Sequence, residues 1–158
     1  MVLHHELFSL AEFIAEVKLS ASLEAKVRGC TLTVSDVDPG LAVDCDRELL
    51  FSAAGNLLQN AFKFTEYGTE VTLNSYATAD RIFIDVQDHC GGLPAGFAEI
   101  MFQPFIQGGA DRSGLGLGLS IAQRSVVAND GTLGVRDVPG TGCVFTIELP
   151  RHTVPKRA

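Results

Sequence analysis

The sequence predicts an α+β fold, a two-layer sandwich in which one mixed, mostly antiparallel sheet is covered on one face by helices. Three observations support this prediction. Apolar residues recur at helical spacing in three long segments, they alternate with other residues in two hairpins, and the order is helix, strands, helix, hairpin, loop, helix, hairpin. Because hairpins pair antiparallel, the sheet is expected to bury one face under the helices.

The helices are predicted from capping signals and helical periodicity. A capping box of Ser9 and Glu12 starts the first helix, and Gly29 stands where a helix-ending glycine is expected. Asp46 is the N-cap of the second helix, which ends near Phe64. The predicted helical segments are residues 9–28, 46–64 and 117–129, with a short helical patch through residue 100.

The strands are predicted from alternating side chains. Ile82, Ile84 and Val86 follow a turn and pair with a preceding strand that starts at Glu70. A final hairpin, residues 132–138 and 143–149, turns at Pro139 and Gly140, and earlier strands are predicted at 31–37 and 41–43.

Composition indicates one domain of ordinary size, residues 9–150. Residues 1–8 are expected to be a linker or a cloning remnant, and residues 151–158 a frayed tail. With 46% hydrophobic and 20% charged residues, the 158-residue chain can bury a core. A net charge of −7 argues against a nucleic-acid footprint. No run of 18 apolar residues predicts a membrane span, and the first ten residues lack a signal-peptide pattern.

The cysteines are scattered without a C-x-x-C pair and are interpreted as reduced thiols of a cytoplasmic domain. Asp88, His89 and Cys90 are adjacent, which raises the hypothesis of a metal site. We favour an ordinary loop, because three consecutive residues do not readily face one ion and no second cluster completes a zinc site. The four cysteines are Cys30, Cys45, Cys90 and Cys143.

GLGLGLS, from Gly114 to Ser120, is the most informative segment, because three glycines alternate with leucines and lead into a helix. Each glycine inside a helix costs about 1 kcal/mol relative to alanine, and flexible linkers are not rich in leucine. The pattern favours close approach of the backbone to an anion such as phosphate at a helix start. P-loop, dinucleotide-binding and protein-kinase signatures are absent from the sequence.

NLLQNAFKFT, residues 56–65, places Asn56, Asn60 and Lys63 on one side of a helix. Amide oxygens suit a hard cation and a lysine suits phosphate; the alternative is a solvated polar face. Asp88 follows a strand, where a carboxylate can accept a hydrogen bond from an exocyclic amine, worth about 1.5–3 kcal/mol. The alternative there is an Asp-initiated turn ahead of the glycine pair 91–92.

In this order the patterns resemble the nucleotide-binding domain of sensor histidine kinases, within the GHKL ATPase superfamily. NLLQNAFKFT resembles the N box, DHCGG the first glycine box, FQPF the F box and GLGLGLSI the second glycine box, and GTGCVFTIELP resembles the closing strand. The resemblance covers roughly residues 9–150 and implies a Bergerat-type ATP-binding fold with ATP and Mg²⁺ as cofactors.

The resemblance also implies roles for residues. Asn60 is expected to hold Mg²⁺, with Lys63 and Arg112 as the other catalytic residues, offsetting phosphate charge. Asn56 belongs to the binding set, but an amide cannot serve as the general base that an efficient ATPase needs. The remaining cofactor-binding residues implied are Phe64, Asp88 at the adenine amine, Gly92, Gly114, Gly116, Gly118 and Leu119.

Two positions depart from the family pattern. Cys90 replaces the middle glycine of the first glycine box, so its Cβ is expected to crowd the backbone. Cys143 replaces a hydroxyl residue of the closing strand, and loss of that hydroxyl is expected to weaken adenine binding.

The function expected from this resemblance is transfer of the ATP γ-phosphoryl group to a histidine on a separate dimerisation hairpin. His4 and His5 do not fit the acceptor motif, so the acceptor lies outside this chain. A response regulator is the further partner, and the isolated domain is expected to be monomeric; membrane anchoring of a parent protein is left open. Alternatives are a degenerate nucleotide-binding module that acts through protein contacts and a gyrase- or chaperone-like ATPase, which Asn56 disfavours.

Overall fold

The computed structural model describes residues 2–93, 96, 101–102 and 115–155, with side chains from residue 118 onward in the last range. The helices in these residues are α1 (Leu10–Val27), α2 (Arg47–Phe64) and α3 (Leu115–Ala128). The strands are β1 (His5–Ser9), β2 (Thr31–Val34), β3 (Leu41–Asp46), β4 (Glu70–Ala77), β5 (Arg81–Gln87), β6 (Thr132–Val138), β7 (Gly142–Pro150) and β8 (His152–Thr153).

The main sheet has five strands in the order β2-β4-β5-β7-β6. Only the β2–β4 pair in this sheet is parallel, and the β4–β5 and β6–β7 hairpins are antiparallel as predicted. Helix α1 packs against β2, α2 against β5 and α3 against β6. Helices therefore pack on a mixed, mostly antiparallel sheet, which confirms the predicted fold class.

A second, three-stranded sheet of order β1-β3-β8 was not predicted. The strand expected at 41–43 belongs to this sheet rather than to the main one. Its two edge strands come from the segments interpreted as linker and frayed tail: β1 pairs antiparallel with β3 along five residues, and β8 pairs along two. Phe8 of β1 is buried in the core, so the segment contributes apolar contacts as well as hydrogen bonds.

The core lies between the helices and the main sheet. The inward residues of the hairpin strands are buried as the alternation predicted, and so is one side of α2. Buried α2 residues are Leu50, Ala53, Ala54, Leu57, Leu58, Ala61 and Phe62, and the facing strand residues include Val71, Leu73, Ile82, Ile84 and Val86. No helix in the described part of the chain is long and apolar enough to cross a bilayer.

A buried amide joins the start of α2 to the end of α3. The Oδ1 atom of Asn129 accepts a hydrogen bond from the backbone N–H of Asp46 at 2.8 Å. Its Nδ2 donates to the backbone carbonyl of Ser125, also at 2.8 Å. Because both ends of this buried amide are satisfied, the two helices are held together firmly at this point.

Asp46 caps α2 as predicted. Its carboxylate accepts hydrogen bonds from the backbone N–H groups of Leu49 at 3.1 Å and His4 at 3.0 Å. These bonds, with the bond from His4 as the largest cause, hold the pKa of the Asp46 carboxyl below its usual value. The capping interaction is thus strongest when Asp46 is ionised.

This cap predicts a pH-dependent stability. The pKa of the Asp46 carboxyl is lower in the folded protein than its unfolded value of about 3.9, so ionised Asp46 stabilises the fold above about pH 3.9. This stabilisation is lost as the pH falls through the folded pKa. Asp46→Asn removes the charge and keeps one of the two acceptor oxygens, so its Tm should lie below that of the unaltered protein at pH 6, and the gap should narrow below about pH 4. Thermal unfolding across this range measures the difference. The control Asp36→Asn changes an exposed carboxylate; a gap for Asp46→Asn that stays constant with pH contradicts the interpretation.

Candidate functional site

A cavity opens between α2, the end of β5 and the start of β7. The volume open to the centre of a water molecule is about 10 Å³, enough for roughly one water, so a purine enters only if lining side chains move. Four of the lining residues are apolar and the others are an amide, a carboxyl group and two thiols. The lining residues are Asn60, Phe64, Asp88, Cys90, Leu93, Met101, Cys143 and Phe145.

Asp88 is the charged group of this cavity and is only 3% exposed. Its Oδ1 accepts hydrogen bonds from the backbone N–H groups of Cys90 and Cys143, each at 3.2 Å. The backbone of Asp88 in turn donates to the carbonyl of Cys143 at 3.1 Å, which continues the β5–β7 ladder past its last assigned pair. The carboxylate is therefore fixed by strand β7 and by the loop that follows β5.

The strand β7 approaches Asp88 so closely that Gly142 has no room for a side chain. A Cβ atom on Gly142 would lie 2.1 Å from the carbonyl oxygen of Asp88 and 2.7 Å from its Oδ1. Gly142, the second glycine of GTGCVF, thus lets β7 position the Asp88 carboxylate. The local sequence around it indicates only a turn and the start of a strand. A close approach of this kind is visible only in three dimensions.

The polar stripe predicted on α2 is present. Leu57, Leu58, Ala61 and Phe62 are buried on one side of the helix. On the other side, Asn60 and Phe64 line the cavity. The other two residues of the stripe, Asn56 and Lys63, lie on the same helix. The Nδ2 of Asn56 donates to the carbonyl of Gly118 in α3 at 3.4 Å, and Lys63 Nζ lies 5.4 Å from the centre of the Phe64 ring.

Asn60 shows the feature expected of a ligand-holding amide. Its Nδ2 atom is buried and, among the described residues, has no hydrogen-bond partner. An unsatisfied buried amide is costly, and the two ends of an amide can exchange by rotation about the side chain. A half-turn of the side-chain amide places its oxygen in this unpartnered position, where it can hold a cation, so Asn60 fits the Mg²⁺ role that the family resemblance implies in that orientation.

The predicted phosphate-binding glycines are only partly within the described residues. Arg112 and Gly114 lie outside them. Gly116 and Gly118 lie in the first turns of α3, and Leu119 is completely buried and is not among the residues lining the cavity.

Gly92 is held beside the cavity by the β6–β7 hairpin. Its φ of +108° is a conformation that side chains disfavour, and a Cβ there would lie 3.1 Å from Asp137 Oδ1. The same oxygen accepts a hydrogen bond from the N–H of Leu93 at 2.8 Å. Gly92 therefore shapes the loop that carries Leu93 into the cavity wall rather than lining the cavity itself.

The two departures from the family pattern meet in this cavity. The Cys143 thiol donates to Asp88 Oδ2 at 3.4 Å, so a weak donor takes the place of the missing hydroxyl. The hydrogen bond between the two thiols, followed by burial, raises the pKa of Cys143, whereas the same bond lowers the pKa of Cys90. Cys90 does not have a positive φ, and the glycine pair after it absorbs the tight turn.

Three apolar cavity residues were not predicted. Phe145 could have been found, because it lies two residues after Cys143 on the same face of a strand. Leu93 and Met101 follow loop segments without periodicity, so no local pattern points to them. Phe102 of the FQPF motif packs edge-on against Phe145 with ring centres 6.1 Å apart, which links that motif to the cavity wall; the rest of FQPF lies outside the described residues.

Comparison with known proteins places this geometry in a family. Residues 45–153 match the model of the histidine kinase-, DNA gyrase B- and HSP90-like ATPases. The sensor protein KinB of Pseudomonas aeruginosa, for alginate biosynthesis, is 32% identical over 80% of this chain and 21% of its own length. The sensor protein DivL of Caulobacter vibrioides is 30% identical over 98% of this chain and 20% of its own length. The chain thus spans about a fifth of these two relatives.

Solved structures give the same result. Full-length ShkA in complex with AMPPNP aligns with a TM-score of 0.85 at 27% identity, over 99% of this chain and 33% of that one. The catalytic domain of histidine kinase ThkA aligns with a TM-score of 0.82 at 24% identity, over 93% and 95% of the two chains, and supports the fold. The chain therefore belongs to the histidine kinase-, DNA gyrase B- and HSP90-like ATPases, and its relatives identify it as an ATP-binding catalytic domain of the bacterial sensor histidine kinase kind.

Proposed function

We propose that this domain binds Mg·ATP in the described cavity and transfers the γ-phosphoryl group to a histidine on a dimerisation hairpin outside this chain. The observation that supports the proposal most directly is that Asn60 of α2 and Asp88 after β5 line one cavity, although 28 positions separate them in the sequence. The proposal therefore places the metal-binding amide and the adenine-reading carboxylate in the same cavity.

Each proposed residue has one task. Asp88 accepts a hydrogen bond from the exocyclic amine of adenine, and Phe64 borders the base. Asn60 holds Mg²⁺, which when bound neutralises phosphate charge. Lys63 and Arg112 offset the remaining negative charge, and the glycines 114, 116 and 118 allow the backbone to approach the phosphates. In the transfer itself, an imidazole nitrogen of the acceptor histidine forms a bond to the γ-phosphorus while the bond to the ADP oxygen breaks.

The same arrangement disfavours direct hydrolysis of ATP. Asn56 stands one helical turn before Asn60, where a carboxylate would have to activate water, and its amide is already bonded to the carbonyl of Gly118. The domain therefore contributes positioning and charge neutralisation, and the attacking group comes from the acceptor hairpin.

The partners in this proposal are the acceptor hairpin of the parent kinase and a response regulator. ThkA has been solved in complex with the response regulator protein TrrA, and ShkA in complex with AMPPNP. By analogy, we propose a monomeric catalytic domain in the cytoplasm, whatever membrane attachment the parent protein has.

The Mg²⁺ assignment is tested with Asn60→Ala and its neighbour Gln59→Ala. Loss of several kcal/mol of charge stabilisation should lower phosphotransfer from labelled ATP to a supplied acceptor hairpin by about 100-fold or more in Asn60→Ala. Calorimetric titration with ATP should at the same time lose its dependence on Mg²⁺. Gln59 is exposed on the same helix, so Gln59→Ala should retain both properties. Undiminished transfer by Asn60→Ala would overturn the metal assignment.

A second candidate is a regulatory nucleotide-binding module that acts through protein contacts. Two thiols, Cys90 and Cys143, occupy the cavity wall at the positions that depart from the family pattern, and this observation favours a site modified away from catalysis. Tight ATP binding by the unaltered domain, without transfer to any supplied acceptor hairpin, would favour this candidate.

A further inference from the structure

We propose that Asp88, Cys90 and Cys143 form a site for a thiophilic divalent cation of the Zn²⁺ class, which overlaps the adenine end of the cavity. The proposal goes beyond nucleotide binding, because it assigns these side chains a ligand of their own. It also differs from the Mg²⁺ assignment, which rests on Asn60 of α2.

The three ligand atoms are already close together. One carboxylate oxygen of Asp88 and the sulfur atoms of Cys90 and Cys143 all lie within 4.8 Å of one another. Asp88 Oδ2 and Cys143 Sγ are separated by 3.4 Å. Around a tetrahedral zinc ion, neighbouring sulfur and oxygen ligands lie roughly 3.5–3.8 Å apart, so a contraction of at most about 1.3 Å completes the triad.

The fold explains why a cluster forms here that the local sequence does not indicate. Asp88 and Cys143 face each other across the β5–β7 ladder, 55 positions apart in the sequence. Cys90 is brought back by its own N–H, which donates to Asp88 Oδ1. His89 turns away, since its Nδ1 contacts the carbonyl oxygen of Glu70 at 2.5 Å. A metal site here needs a ligand from a second part of the chain, and the fold supplies it as Cys143.

The ligand set selects the kind of cation. Two thiolates with one carboxylate suit Zn²⁺ and similar thiophilic ions, whereas Mg²⁺ prefers a shell of oxygen atoms and retains water. Three protein ligands leave the fourth position of a tetrahedral ion to water. Both thiols must lose a proton on binding, so up to two protons pass to the solvent for each cation bound.

Because the cation site overlaps the proposed adenine position, the cation and ATP compete for Asp88. Asp88 Oδ1 is bonded to two backbone N–H groups, so Oδ2, whose partner is the Cys143 thiol, is the oxygen left to meet a ligand. A cation bound there removes the acceptor that the proposed adenine contact requires. Occupation by Zn²⁺ should therefore lower the affinity for ATP, and ATP should lower the affinity for Zn²⁺ by the same factor.

The test uses Co²⁺ as an optical probe and Zn²⁺ as its competitor, with the reduced protein and no nucleotide. One Co²⁺ per chain should produce a thiolate-to-metal charge-transfer band in the near ultraviolet, which one equivalent of Zn²⁺ removes and millimolar Mg²⁺ does not. Cys90→Ser and Cys143→Ser should each weaken binding on the order of 100-fold, because loss of a direct ligand should cost at least as much as loss of an outer-shell partner. Cys30→Ser removes a thiol outside the cluster and is the matched control.

The outcomes separate this site from the ATP site. The metal titration contains no nucleotide, so its result does not depend on whether the domain binds ATP. Absence of the charge-transfer band, or a band that persists in Cys90→Ser and Cys143→Ser, overturns the cation site. Cys90 is less buried than Cys143, so Cys90→Ser is the milder change and remains informative if Cys143→Ser fails to fold. Zn²⁺ binding that leaves the calorimetric affinity for ATP unchanged overturns the overlap.

Discussion

Replacing Asp88 by asparagine is expected to weaken ATP binding by about 10- to 150-fold, the equivalent of the 1.5–3 kcal/mol that a charge-assisted hydrogen bond contributes. The asparagine Oδ1 can still accept the two backbone N–H bonds that hold residue 88 in place. The change therefore removes the charge that would meet the adenine amine while it keeps the local backbone bonds. Calorimetric titration with ATP measures the loss directly.

The control for this variant is Asp85→Asn on the same strand. Asp85 is also buried and accepts a hydrogen bond from Thr146 Oγ1 at 2.6 Å, but it does not line the cavity. Asp85→Asn should leave ATP affinity within about twofold of the unaltered protein, although it removes a similar buried charge. Equal losses in the two variants would show that burial, rather than contact with the nucleotide, is responsible.

Gly142→Ala is expected to destabilise the fold by about 1–3 kcal/mol, the usual cost of adding a methyl group where there is no space. The clash involves the backbone of Asp88 at 2.1 Å, which a side-chain rotation cannot relieve. Strand β7 or the end of β5 must shift, and the carboxylate of Asp88 shifts with it. Urea denaturation should show the lower stability, and the folded variant should bind ATP more weakly.

Gly134→Ala is the matched control for this second variant. Gly134 lies in β6, next to β7, and no described atom beyond its chain neighbours lies within 4 Å of a Cβ built on it. A strand interior favours alanine slightly over glycine, so Gly134→Ala should retain or slightly increase the free energy of unfolding. If Gly142→Ala is as stable as Gly134→Ala and binds ATP normally, the contact with Asp88 does not position the carboxylate.

Local signals account for the parts of the fold that the sequence predicts well. The second helix was expected from Asp46 to about Phe64, and α2 runs from Arg47 to Phe64 with Asp46 as its N-cap. A cap and a helical repeat are both contained within a few residues, so they can be recognised without tertiary information. The same holds for the β4–β5 and β6–β7 hairpins, whose partners adjoin in the chain.

The parts that could not be predicted depend on distant partners. Strands β1 and β8 exist because β3 lies between them, and neither short segment carries a strand pattern strong enough to identify alone. The same limit applies to the candidate site. The motif alone identifies Asp88 as a site residue, but not the residues that it contacts. Its contacts with Cys143 and Gly142 arise from residues more than 50 positions away. Family motifs identify which residues matter, whereas strand pairing decides which of them touch.

The buried amide of Asn129 has a mechanical consequence for the polar stripe on α2. It fixes the start of α2 to the end of α3 at 2.8 Å, whereas the contact nearer the cavity, from Asn56 to Gly118, is longer at 3.4 Å. Residue 60 lies 14 residues from this pivot, about 21 Å along the helix axis. If α2 tilts by about 5° about this fixed end, Asn60 moves by roughly 2 Å, so the position of the cavity's amide depends on the angle of the whole helix.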